Sequence, residues 1–137
     1  MIFSIAFTVL SLVGSPTAAQ PADSLRPDRD IRFVAMRHAG DVRGCYEREG
    51  LRRNPTLQGT VEVALTVLPT GAVDSVTVDS SKFAGVGAAE VVSCIRTLTR
   101  HWRFERGPFG IETVVFPFRL LPNRESGPTL GWQASDF

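Results

Sequence analysis

Lysine is almost missing from this chain, cysteine is sparse, and no charged side chain occurs before Asp23. Lys82 is the only lysine; the other basic residues are arginine, and 15 basic against 14 acidic groups leave a formal charge of +1. Such a balance supplies no overall field toward nucleic acid or an anionic membrane. Only 2 Cys are present, with no C-x₂-C or H-x₃-H spacing, which excludes a disulfide-dense mini-protein and the usual structural zinc motifs. There is no G-x-S-x-G, no glycine-rich phosphate loop and no paired-carboxylate motif; Gly85-Val86-Gly87 mimics a phosphate turn only superficially and leads into a helix. With 12 Gly and 9 Pro the chain is neither collagen-like nor low in complexity. What remains is 137 residues, 43% of them hydrophobic: enough for one packed core and too few for two.

The uncharged start is informative. Ile2 to Gly14 is apolar except for Ser4, Thr8 and Ser11, and Ser15-Pro16-Thr17-Ala18-Ala19-Gln20 places small residues ahead of a cut after Ala19. As a helix the apolar run would span about 20 Å, short of the ~30 Å hydrocarbon layer. Residues 1–19 are therefore expected to be a signal peptide, which directs the chain to the periplasm or outside the cell. An uncleaved anchor and a buried N-terminal element are the alternatives; no stable membrane span is expected after cleavage. Residues 20–29, with Pro21 and Pro27, are expected to form a linker.

From Asp30 to Glu49 the residues Ile31, Val34, Ala35, His38, Val42, Cys45 and Tyr46 recur at three- and four-residue spacing, which predicts a first amphipathic helix capped by Asp30. Thr60 to Val67 alternates strictly, Pro69-Thr70-Gly71 is a turn signal, and Val73 to Asp79 alternates again, so a β-hairpin follows. Ala88, Val91, Cys94, Ile95, Leu98 and Trp102 predict a second helix over 87–102. Val114, Phe116, Phe118 and Leu120 form the inward phase of a third strand, in which Pro117 lacks an N–H and marks a sheet edge or a bulge. The order αββαβ implies an α+β fold of two layers, a three-stranded antiparallel or mixed sheet with both helices on one face. A right-handed crossover returns the third strand parallel to the second and beside the first. The domain is expected over 30–121, with 122–137 a flexible tail.

Both cysteines fall on core-facing stripes of their helices. In an exported chain this points to a helix-to-helix disulfide between Cys45 and Cys94, the alternative being two buried thiols.

Six short pieces carry a resemblance: Cys45-Tyr46-Glu47, Pro55-x-Leu57-x-Gly59, Pro69-Thr70-Gly71-x-Val73, Cys94-Ile95, Trp102-x-Phe104 and Val115-Phe116-Pro117-Phe118. In this order and spacing they resemble the C-terminal domain of TonB-type energy transducers, and more closely that of myxobacterial gliding-motility proteins of the AgmX/PglI type. The resemblance covers Ile31 to Leu121. It implies a small periplasmic αββαβ domain without enzymatic activity, cofactor or metal, serving transport or another task of the cell envelope by binding protein. Two features depart from such transducers: the apolar start is short, and fewer than twenty residues separate it from the first helix.

Candidate sites follow. The third strand, Val114, Val115, Phe116, Pro117, Phe118 and Arg119, is expected to accept an extended segment of an envelope protein at its edge. Self-pairing into a homodimer or a structural module, or coverage by the C-terminal tail, are the alternatives. His38 and His101 with the two cysteines lack metal-site clustering, and Cys45 stands two helical turns from His38, too far for a nucleophile–base pair. Arg96, Arg100 and Arg103, with Arg106 just beyond, are expected to form a solvated basic stripe, the alternative being a surface for an acidic partner or an anionic cell-wall polymer. Trp132 and Phe137 are isolated aromatics in the tail.

Overall fold

Strict alternation organises the centre of the molecule. In the computed structural model, which describes Gly14, residues 24–122 and residues 129–130, strand β1 (Gly59–Val67) buries Val61, Val63, Leu65 and Val67 completely while Glu62 faces solvent. β2 (Val73–Lys82) and β3 (Glu112–Leu120) flank it, both antiparallel to β1. The sheet order is β2-β1-β3-β4, the last being the two-residue strand Thr129–Leu130. Helices α1 (Asp28–Cys45) and α2 (Ala88–Thr99) bury their apolar stripes on the one face of the sheet, α1 above β3 and α2 above β1 and β2. The fold is the expected α+β arrangement, with β3 lying beside β1 and parallel to β2. Apart from Gly14, the segment 1–19 expected to be a signal peptide, residues 20–23 and the aromatics Trp132 and Phe137 lie outside the described residues.

Aromatic packing fills the space between the layers. Trp102 is 1% exposed, stacks on His38 at 5.0 Å, and meets Phe116 and Phe118 edge-on at 5.5 and 6.4 Å. Edge-on pairs set the positive rim of one ring against the negative face of the other. Tyr46 is fully buried; its hydroxyl donates to the Leu57 carbonyl, and burial pushes its pKa up.

The helices differ from the sequence reading at their ends. α1 begins at Asp28, two residues before the expected cap at Asp30, with Pro27 in the N-cap position and no side-chain cap bond. Pro27 already has the restricted φ that suits a helix start, and Asp28 and Asp30 stand at the positive end of the helix dipole. At the other end the α-helical turns stop at Cys45, and Tyr46–Leu51 continue as a wider π-helical turn. That turn carries Gly50 into the start of α2: a Cβ there would lie 2.8 Å from both Leu57 Cδ2 and Val91 Cγ2. α2 ends at Thr99, not Trp102. Thr99 Oγ1 donates back to the Ile95 carbonyl at 2.9 Å, and the chain then turns Trp102 inward. The hairpin turn is held from outside, since Phe104 N–H donates to the Gly71 carbonyl at 2.9 Å. Gly71 has φ +87°, and a Cβ there would collide with the Phe104 carbonyl at 1.9 Å.

The expected linker is a second correction. Residues 24–29 belong to the domain: Ser24 bridges to Phe109, and Arg26 is 3% exposed. The Arg26 guanidinium donates to the Leu68 carbonyl at 2.8 Å and to the Glu105 carbonyl, and its Nε lies 3.4 Å from the Glu112 carboxylate. Its planar cation also lies over the Phe109 ring at 4.6 Å. Burial lowers the Arg26 pKa, opposed by the negative charge of Glu112, Asp30 and Glu105. The net result is a cation joining the chain start to the hairpin turn, to the stretch after α2 and to the first residue of β3. Breaking a buried pair from one side strands the other charge, at a cost of about 3 kcal/mol or more. Arg26→Met is therefore expected to lower unfolding stability by about 3 kcal/mol in urea titration; an unchanged midpoint would show that the clamp is incidental.

Candidate functional site

In a β-strand, a residue's side-chain face and the lateral direction of its backbone polar groups alternate together. The pairing of β3 with β1 runs without a shift from Glu112↔Val67 to Leu120↔Gly59, passing through Pro117 opposite Glu62. A proline inside an unbroken ladder must turn its nitrogen away from the neighbouring strand. The phase of Pro117, which includes Thr113, Val115 and Arg119, therefore directs its N–H and C=O groups to the outer edge. The same residues hold their side chains off the core: Val115 is 51% exposed and Arg119 is exposed.

The opposite phase belongs to the interior. Val114, Phe116 and Phe118 are 7%, 0% and 0% exposed, and their backbone groups face β1. Of the six residues expected at the docking edge, these three support it without presenting it. Val115, Pro117 and Arg119 have the outer-edge phase, as does Thr113, which the sequence reading did not include. The signal was available in the two-residue period counted back from Pro117. Among the described residues β4 pairs with β3 only at Phe118↔Leu130 and Arg119↔Thr129, so the 122–137 segment expected as a loose tail contributes a strand there. Along Thr113–Pro117 the outer edge of β3 has no strand neighbour among the described residues.

The other candidate residues are engaged otherwise. Cys45 and Cys94 form a disulfide with Cα atoms 5.7 Å apart, joining the last residue of α1 to the middle of α2. Neither is then a thiol nucleophile or a thiolate ligand. His38 stacks on Trp102 with Nδ1 3.3 Å from Asp41, and His101 Nδ1 lies 2.8 Å from the Thr97 carbonyl. Among the described residues no group of three or more His, Cys, Asp and Glu gathers as a metal site. An open groove of about 780 Å³ lies over the disulfide, between Asp41 and Arg48 of the first helical stretch and Glu90, Ser93 and His101. Its acids are partly neutralised, because Arg53 lies 3.9 Å from Glu49 and 3.1 Å from Glu90. The arginine stripe is shorter than expected. Arg96 belongs to α2 and Arg100 caps it, whereas Arg103 lies beyond the helix, as Arg106 does.

A disulfide is at home in an oxidising compartment. Among the described residues no helix is long and apolar enough to cross a membrane. No family model, curated protein or solved structure matches the chain.

The disulfide spans 49 residues of sequence, and releasing it frees a long loop in the unfolded chain. Cys94→Ser should lower stability by about 4 kcal/mol in the chain-entropy account. Differential scanning of wild type and variant in oxidising buffer measures this, and coincident melting curves would contradict it.

Proposed function

We propose that this chain is an exported, non-enzymatic protein-binding domain. It receives an extended segment of a cell-envelope protein as an added strand along the outer edge of β3, in the manner of TonB-type C-terminal domains. The observation that carries this reading is the unequal pairing of β3. Its inner side is bonded to β1 from end to end, while on its outer side only Phe118 and Arg119 have a strand partner among the described residues. An open edge offers donors and acceptors at the spacing that another strand requires. The exposed Val115 side chain adds an apolar contact on the same stretch. Periplasmic or secreted location is supported by the disulfide and by the uncharged N-terminal segment. A self-associating structural module is the second reading. It is favoured by β2, whose outer side also has no strand neighbour among the described residues.

Val115→Pro tests the edge directly. Proline at this position removes an outward N–H and, like Pro117, leaves the β1 ladder intact. The full chain with this substitution is expected to melt cooperatively, at a temperature close to that of the unmodified protein. Selection from a decapeptide library should enrich binders on the unmodified chain that slow hydrogen exchange at Thr113 and Val115. Those binders should lose at least tenfold in affinity for Val115→Pro. Equal affinity for the two proteins, or no binder for the unmodified one, would sink the reading. Sedimentation that shifts to a dimer with concentration would favour the self-associating module.

A further inference from the structure

Three features of β3 taken together concern how its docking edge is regulated. Among the described residues β4 covers the edge at Phe118 and Arg119 and no further. Pro117, immediately before that pair, offers a carbonyl but no N–H on the outward phase, so it separates the covered stretch from Thr113 and Val115. The bond-forming partner of Thr129 is Arg119, because Arg119 shares the outward phase of Pro117 while Phe118 turns its backbone to β1. A strand long enough to engage Thr113, Val115 and Arg119 together spans about 20 Å of β3 and must take the place that β4 holds.

We propose that β4 is an internal occupant of the docking edge: Thr129 and Leu130 hold its C-terminal end in cis, and an extended segment binds in trans by displacing them. The inference rests on the edge-binding reading above and specifies its regulation. Displacement suits the small extent of β4. Two paired residues share one edge, whereas β1 and β3 are paired over nine, so opening at β4 leaves the rest of the sheet intact. The occupant also sets a length requirement. A short segment confined to Thr113–Pro117 does not compete with β4, and a longer one does.

The test uses the full chain, a full chain carrying Thr129→Pro, and a synthetic peptide with the sequence of residues 126–133. Proline at 129 removes the N–H that faces Arg119 and lies outside the helices and the three long strands. Its melting temperature should therefore match that of the unmodified chain. In the unmodified chain the Arg119 amide should exchange slowly, and in Thr129→Pro it should exchange as an exposed amide does. The peptide should bind Thr129→Pro at least about tenfold more tightly than it binds the unmodified chain, which corresponds to an edge that β4 occupies about nine-tenths of the time. A peptide that itself carries proline at the position of Thr129 should bind neither. Fast exchange at Arg119 in the unmodified chain would overturn the proposal. Equal peptide affinity for the two proteins would also overturn it while leaving edge binding intact, and absence of binding to both would remove the proposal and the edge reading together.

Discussion

Side-chain phase and backbone phase are locked together in a β-strand, and the organisation of β3 follows from that lock. Phe116 and Phe118 must point inward to pack against Trp102, at 5.5 and 6.4 Å. Once they do, their N–H and C=O groups belong to β1, and the remaining groups of β3 have only the outer edge to face. Pro117 is tolerated because it falls on the outer phase. The core and the outer edge of β3 are thus one decision: a one-residue slip would expose the phenylalanines and drive proline into the ladder.

Two unlike fastenings hold the helical layer in place. Just before α1, the Arg26 cation joins the Leu68 and Glu105 carbonyls and the Glu112 carboxylate. At the last residue of α1, the Cys45–Cys94 bridge ties it covalently to α2. The first is a buried charge that is stable only while all its partners are present, and the second acts mainly by restricting the unfolded chain. Between them the stack of His38 on Trp102 registers α1 against the core. With the sulfurs bonded to each other and His38 packed against a ring, the groups that might have suggested chemistry are committed to structure. What β3 offers is backbone geometry: outward N–H and C=O groups along Thr113–Pro117 with no strand neighbour among the described residues.

β-Augmentation explains why such an edge is useful and also why it is hazardous, since an open strand invites any other strand. Pro117 limits the ladder on that side, and β4 closes part of it. On the proposed reading, an edge partly filled by its own chain would be selective, because an incoming segment would have to outcompete a local one instead of meeting bare backbone. The β2 edge meets the same hazard by different means: Asp74, Asp79 and Lys82 place charge along it, and shifts in its register with β1 interrupt a flat pairing surface.

Periodicity and a few special residues made most of the architecture legible from the amino acids. Val61, Val63, Leu65 and Val67 announced a one-sided strand, Gly71 a turn, and the helical stripes placed Cys45 and Cys94 where they could meet. These are local or nearly local properties, set by steric and hydrophobic patterning within a few residues. Arg26 was not legible, because a charged residue in a proline-bearing stretch looks solvated until three distant segments close around it. The wide turn at Tyr46–Leu51 was hidden for the same reason, since Gly50 is needed only where α2 crosses it. The pairing of Thr129–Leu130 with β3 likewise depends on register across a sheet, and two residues of strand carry no periodic signal of their own. Local order is written in neighbouring side chains; which backbone groups remain unpaired is decided only when the whole sheet has assembled.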